Sequence, residues 1–424
     1  MNITNTNFYN NIRDNIDLRS FLIFLLPIAL IAGSAILNLI LVLIFLIFIY
    51  DLFKKRDLSI FKNNWVYFFL IFWFYTVISS ISFSGLDNSF KNSFSQIRFL
   101  TLILFMYQNL SLKSYTIFIK IILICLVFVA IDNNIQFFTG LSIFGFPAEG
   151  YFYEKRIYHL DTVDYYVGRL TGPFKDELIP GAFLTKLSTI ILFYFGSIFA
   201  KFNNIKKLFF VLLILFLLQS ILITGERTNS IFYIVLSFVL LINLINLRKA
   251  FFICIISVIF ISTIIINSEF LKSRLSNSIN IVNDYKNSSY GRLTSSASHL
   301  WRENLIFGVG LKNYRVKCNE LIDPTPDHKY QYCSTHPHNT LLELLSETGI
   351  VGLILYLLFI ISFLSKKISS LNNNIKITLN GFKAFIFLSL LPILPSGSLF
   401  TTWNATPFWI ILGLYFFLSK KITQ

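Results

Sequence analysis

The chain has 424 residues, of which 55% are hydrophobic and only 13% charged, with 48 Phe. A soluble globular protein carries about 25% charged and roughly 45–50% apolar residues, so soluble enzymes, disordered tails and disulfide scaffolds are excluded. The net charge of +15 does not point to nucleic acid either. Basic residues gather in the short links between apolar runs: Lys54, Lys55, Arg56 and Lys62; Lys113; Lys201, Lys206 and Lys207; Arg248 and Lys249; Lys366, Lys367 and Lys376; Lys420 and Lys421. Such an excess in short links is the positive-inside signature of a polytopic membrane protein.

The first 19 residues are polar and show no cleavable-signal pattern. An apolar stretch then runs from Phe21 to Tyr50, too long for one crossing at about 1.5 Å per residue. Its Ala32-Gly33-Ser34-Ala35 patch reads as a tight turn between two short helices. Further runs are centred near Trp73, Leu104, Ile124, Thr189, Phe216, Phe238, Val258, Tyr356, Leu388 and Gly413. With every basic link assigned to the cytoplasm, the alternation predicts an all-α fold of about 12 transmembrane helices. Residues 1–424 then form a single integral membrane domain in the bacterial inner membrane, with both termini cytoplasmic. The few basic residues inside the runs, Lys120, Lys186 and Lys383, lie near predicted ends, where they can snorkel.

Two long segments fall on the opposite, periplasmic face: 139–180, and a larger one, 268–340, between spans 9 and 10. Long loops in an economical bundle are usually functional or disordered, and the second holds too much Trp, Tyr, Leu and Gly-turn material for disorder. No internal repeat is evident, which disfavours a transporter built from two repeated halves. Within the larger loop, Arg292 to Ile306 reads as an amphipathic helix. Its Leu and Trp face fits either the membrane interface or the loop's own small core. Cys318 and Cys333, 15 positions apart in the same loop, form a candidate disulfide in an oxidising compartment. Cys125 and Cys254 read as buried hydrophobes.

Four of the five histidines lie in this loop: His299, His328, His336 and His338. His338 and Asn339 immediately precede a transmembrane run. The positive end of a helix disfavours imidazolium, so His338 is either a neutral general base or a helix cap. Gly225-Glu226-Arg227-Thr228-Asn229 is a polar interruption between two apolar runs, and charge at such a depth suggests function, although Glu226 and Arg227 may simply pair. Arg169 precedes another run and Arg292 leads the amphipathic helix. Guanidinium forks near a bilayer suit phosphate esters; scattered surface arginines are the alternative.

Together these residues resemble the O-antigen ligase/polymerase family of integral membrane glycosyltransferases. The resemblance rests on HisProHisAsn at 336–339 before a Leu-rich run with GlyIleValGly at 349–352, on GluArgThrAsn at 226–229, on ArgLeuThrGlyProPhe at 169–174, and on Trp301 leading through Leu305–Gly310 to Asn313-Tyr314. It implies a catalytic His338, with His336 the less favoured alternative and Asn339 and Glu226 in support. It also implies Arg227 and Arg292 on a lipid diphosphate, with Arg169 assisting. Asp176-Glu177 depart from the family pattern and receive no role.

The implied reaction moves an O-antigen glycan from undecaprenyl diphosphate to the lipid A–core of lipopolysaccharide, with inversion and no cofactor or metal. The partners are then the polyprenyl-diphosphate-linked glycan donor, a lipid A–core or carrier-linked glycan acceptor, and membrane lipids, with no nucleic acid. An O-antigen polymerase joining carrier-linked units is the close second, and a flippase or transporter for lipid-linked sugars the alternative of another class.

Overall fold

The computed structural model describes residues 17–56, 59–82, 88–149, 168–320, 332–365, 372–392 and 395–421. His328 and residues 150–167 of the 139–180 segment lie outside that set. Among the described residues every regular element is helical, apart from one isolated bridge between Leu141 and Pro147. In chain order the helices are α1 (Leu18–Ala32), α2 (Ser34–Lys55), α3 (Asn64–Ser82), α4 (Asn88–Ser95), α5 (Ile97–Asn109), α6 (Leu112–Thr139), α7 (Pro180–Ser197) and α8 (Asn204–Ile223). There follow α9 (Arg227–Leu244), α10 (Leu247–Ile266), α11 (Glu269–Asn283), α12 (Ser289–Glu303), α13 (Tyr314–Glu320), α14 (Thr340–Leu364), α15 (Asn373–Ser389) and α16 (Thr402–Lys421).

Each apolar run centre read from the sequence falls on a helix. Among the described residues, seven helices (α2, α3, α6, α8, α9, α10 and α14) are long and apolar enough to cross a membrane by length and composition. The Phe21–Tyr50 stretch does divide in two, at Gly33, whose φ of 116° only glycine adopts readily.

The bundle is stitched by aromatic edges. Trp65 of α3 meets Phe363 of α14 and Phe416 of α16 with ring centroids 4.9 and 5.0 Å apart, and Phe69 meets Phe359 and Trp409 at 5.4 and 5.6 Å. Edge-to-face pairs contribute about 0.5–1.5 kcal/mol each beyond burial. They matter here because lipid tails are as apolar as the side chains, which leaves packing rather than water exclusion to hold helices together. The outward faces stay apolar, as at Leu39, Phe74, Ile124, Phe209 and Ile256.

α14 is broken at Gly349 (φ 66°, ψ −172°), and residues 305–310 lie along the break. The amides of Ile350 and Val351, deprived of helical acceptors, donate to the carbonyls of Leu305 and Ile306 at 2.9 and 3.4 Å. The amides of Val309 and Gly310 donate back to Ser346 and Glu347, both at 2.9 Å. A Cβ on Gly308 would lie 2.5 Å from backbone atoms of residues 347 and 348, and one on Gly349 would lie 2.2 Å from the Ile306 carbonyl oxygen. The two glycines permit a backbone crossing that no larger residue fits.

The amphipathic segment settles into α12, which ends at Glu303 rather than continuing to Ile306. Its buried Ala297 and Leu300 pack with Val309, Tyr314 and the Cys318–Cys333 disulfide, so this part of the apolar face serves the loop's own core, while Leu305 and Ile306 beyond the helix stay exposed. Ser296, read with the polar face, is fully buried and donates to the carbonyl of Arg292 at 3.1 Å.

Candidate functional site

A cavity of about 490 Å³ opens between the N-terminal ends of α7 and α9, the helices α15 and α16, and the segment that precedes α14. Its polar lining includes Arg169, Lys186, Glu226, His336, His338 and Ser396, and its inner wall includes Phe232, Phe385 and Phe408.

The histidines reach it because of how α14 begins. Asn339 caps the helix, its side-chain oxygen accepting from the amides of Leu341 and Leu342 at 3.1 Å. His338 precedes the cap in a left-handed conformation (φ 54°), uncommon for a residue with a side chain and a mark of constrained geometry. That turn brings the two imidazoles together with centroids 4.1 Å apart. The Ser396 amide donates to the His338 carbonyl at 2.8 Å, and His336 Nε2 lies 3.2 Å from the Ser396 carbonyl.

A carbonyl oxygen only accepts, so His336 carries its proton on Nε2, leaving Nδ1 to the Thr335 hydroxyl at 3.0 Å. His338 Nε2 lies 3.3 Å from the rotatable Ser334 hydroxyl, and the Ser396 backbone also acts on this ring. Burial, aided by Lys312, pushes the His336 imidazole down to about 4. Burial first, then the neighbouring His336 and Arg169, pushes His338 down to about 4 as well, against the pull of Glu343. Both rings are neutral at neutral pH, and withdrawal from water is the leading cause.

Arg169 is set by a clamp. Gln136 of α6 accepts from the amides of Thr171 and Gly172 at 3.0 and 2.7 Å and donates to Thr171 Oγ1 and the Phe146 carbonyl, both at 2.9 Å. The Thr-Gly-Pro-Phe turn therefore locks onto α6 and holds Arg169 at the rim. There its guanidinium donates to the Leu178 carbonyl at 3.2 Å, while Nε is buried with no hydrogen-bond partner among the described residues.

Glu226 does not pair with Arg227. One carboxylate oxygen accepts from the Gly181 amide at 2.7 Å and the other from Asn229 at 2.6 Å, which pins the start of α7 to the start of α9. Burial pushes this carboxyl up to about 7. Lys186 does not snorkel. It is enclosed by the bundle and donates to the Asn404 carbonyl at 2.9 Å and to the same residue's side-chain oxygen. Its position near a predicted helix end concealed that its side of α7 faces α16. Asp176 and Glu177, given no role in the sequence, also line the cavity.

A neighbouring groove holds the remaining arginines. Arg227 donates to Ser278 at 3.0 Å, and Arg274 of α11 donates to the Gly225 carbonyl at 3.1 and 3.3 Å. Both line the groove with Asn277, Asn280 and Asp284. The Arg274 guanidinium is lowered from its ordinary value by burial and by the positive charges of Arg227 and Arg169. Tyr290 lies between groove and cavity, its ring 6.2 Å from that of His338.

Arg292 stands apart. It is exposed, donates to the Asn287 carbonyl at 3.0 Å, and lines neither cavity nor groove. Arg274 is the residue that sequence reasoning missed. It lies mid-helix in a loop already rich in basic residues, and nothing in its neighbours marks it.

The fold and site thus define a helical protein with several membrane-length helices and a half-enclosed cavity that combines neutral imidazoles with Arg169 and Lys186, beside a groove that holds Arg227 and Arg274. Residues 210–357 match the profile of the O-Antigen ligase family. The matched span contains Glu226, Arg227, Arg274, Arg292, both histidines and the Gly349 break, whereas Arg169 and Lys186 precede it. The chain is also 31% identical over 124 residues to a Rickettsia conorii protein described as a polysaccharide ligase. That similarity spans 28% of this chain and 28% of the relative.

Proposed function

We propose that the protein is a membrane glycosyltransferase that moves a glycan from a polyprenyl diphosphate carrier to the lipid A–core of lipopolysaccharide, with the cavity facing the periplasm. The observation that carries this reading is the cavity itself: a neutral His338 beside Arg169 and Lys186, which form no ion pair among the described residues, in a chain whose residues 210–357 match the O-Antigen ligase profile.

In this mechanism His338 takes the proton from the acceptor hydroxyl as the oxygen forms its bond to the anomeric carbon, while the bond from that carbon to the diphosphate breaks. The electron pair leaves with the diphosphate, and attack from the opposite face inverts the configuration. Arg169, Arg274 and Arg227 neutralise the growing charge, as fixed cations in a water-poor site do most effectively. Arg292 then lies at the outer edge of the diphosphate site. His338 is favoured over His336 as the base because it is the histidine followed directly by Asn339, the pattern on which the family resemblance rests.

The experiment is transfer in cells that lack their own ligase but make carrier-linked O-antigen, with lipopolysaccharide resolved by gel. Wild type should restore long-chain bands on the lipid A–core, and His338→Ala should abolish them at equal membrane levels. Restored chain growth on the carrier in a polymerase-deficient strain, without transfer to the core, would reassign the acceptor to a second carrier-linked unit.

A further inference from the structure

The structure assigns a positioning role to three residues outside the cavity lining, the half-buried Lys312 and the buried Glu343 and Ser398, which brace the strap of chain that holds His336 and His338. The inference rests on the reading of His338 as the base.

The strap runs from Ser396 to Thr401 between α15 and α16. At its start Ser396 grips the histidine segment three times: amide to the His338 carbonyl at 2.8 Å, carbonyl to His336 Nε2 at 3.2 Å, and hydroxyl to Thr340 Oγ1 at 2.9 Å. Two residues on, the strap is anchored to the helix those histidines precede. Glu343, fully buried one turn into α14, accepts from the Leu399 amide at 2.8 Å and from the Ser398 hydroxyl. That hydroxyl in turn accepts from Lys312 Nζ, which also donates to Thr401 Oγ1 at 2.8 Å.

The donor order is therefore fixed, from ammonium to hydroxyl to carboxylate, with the Lys312 nitrogen 4.0 Å from Glu343. Lys312 is itself held, in a left-handed conformation (φ 64°), by donation of its amide to Glu347 at 2.8 Å. The outer loop, α14 and the strap thus meet at one charged hydroxyl relay.

None of the three side chains lines the cavity, so none reaches a substrate there. A buried carboxylate is retained at a cost in desolvation unless fully bonded, and the groups that Glu343 and the Lys312 ammonium bond, Ser398, Leu399 and Thr401, all belong to the strap that Ser396 begins. An apolar core would pack α14 against the strap equally well but would leave the strap free to slide along the helix.

The test uses full-length protein in lipid nanodiscs, with a polyprenyl-diphosphate oligosaccharide as donor and lipid A–core as acceptor. Ser398→Ala, the least disruptive change, and Glu343→Gln should each lower kcat about tenfold or more while leaving both KM values within about twofold, the pattern of a mispositioned base. Lys312→Met should do the same, and Lys312→Arg, which keeps two donors, should recover most of the rate.

Amide hydrogen exchange in peptides covering 334–342 and 395–400 should quicken by about tenfold in Ser398→Ala and Glu343→Gln, because these amides would open locally. Unchanged exchange, or a wild-type kcat in both variants, would overturn the brace. His338→Ala runs beside them: if it remains active, His338 is not the base, and the exchange result still decides whether the relay fixes the strap.

Discussion

The two ends of the candidate site are built on opposite plans. At the histidine end each group is held by backbone: a capped helix start, a left-handed turn and a strap whose amide donates to the His338 carbonyl and whose carbonyl meets the His336 imidazole. At the arginine end the guanidiniums rest on single carbonyls or a hydroxyl, and among the described residues Arg169, Arg227 and Arg274 form no ion pair with a carboxylate. The histidine end is preorganised, as befits a group that moves one proton over a fixed distance. The arginine end keeps its charge uncommitted, as befits a surface that awaits an anion.

Substitutions at the two ends should therefore fail differently. His338→Asn keeps a residue that tolerates left-handed backbone and a similar polar volume, yet cannot accept the proton. It should cut kcat by about 10²–10⁴-fold, the usual contribution of a general base, with donor KM little changed. A steady-state assay that finds the loss in KM instead would break the contrast.

Arg274→Met should cost about 10–100-fold in kcat/KM through loss of transition-state charge neutralisation, and Arg274→Lys should not rescue it, since an ammonium lacks the guanidinium fork. Arg292→Ala should change kcat/KM by less than about threefold, because loss of an exposed contact away from reacting charge has little effect. If Arg292 proves as costly as Arg274, the substrate extends the arginine end outward along α12.

The first two of these expectations were unequally legible in the sequence. His338 stood out because an imidazole and an amide directly before a Leu-rich run have a local cause, the helix start, that a sequence displays. The splitting of Phe21–Tyr50 at Gly33 and the membrane character were visible for the same reason: composition and turn chemistry are local. Arg274 and Lys186 were hidden because their roles depend on which helices become neighbours. A lysine 6 residues past Pro180 looks like a snorkelling end until α16 is packed against it. The amphipathic α12 marked one face correctly as apolar, but periodicity cannot say whether lipid or the residues around the disulfide will cover it.

A pH profile sharpens the same contrast, with a smaller effect near neutrality. His338 accepts a proton only while neutral, and its ring is pushed down to about 4 by burial, His336 and Arg169, with Glu343 opposing. Transfer should therefore hold steady as pH falls through 6.5 and decline only as it approaches about 4, provided substrate and membrane remain intact. The sign for folding agrees: the unfolded chain binds protons on these histidines from 6.5 downward while the native one does not, so stability is greatest above that range and falls as pH is lowered toward 4. An acid limb near 6.5 in the rate profile would mean that water reaches His338 during turnover, and the histidine end would then be no drier than the arginine rim.

The mildest perturbation separates the two ends through the loop that joins them. The Cys318–Cys333 disulfide closes a segment with a sequence separation of 15 and packs against Ala297, Leu300 and Tyr314 beneath α12. Closing about 15 residues constrains the unfolded chain by roughly 3 kcal/mol in the loop-entropy account. Cys318→Ser with Cys333→Ser should therefore loosen α12 and α13 while α14 and the strap, anchored independently through Glu343, keep their exchange protection. The rate should fall only a few-fold, with the change in donor KM rather than in kcat, because α12 carries Tyr290 and borders the groove of Arg274. A matched loss of kcat would show that the disulfide core supports the histidines directly, and that the two ends are less independent than their hydrogen bonds imply.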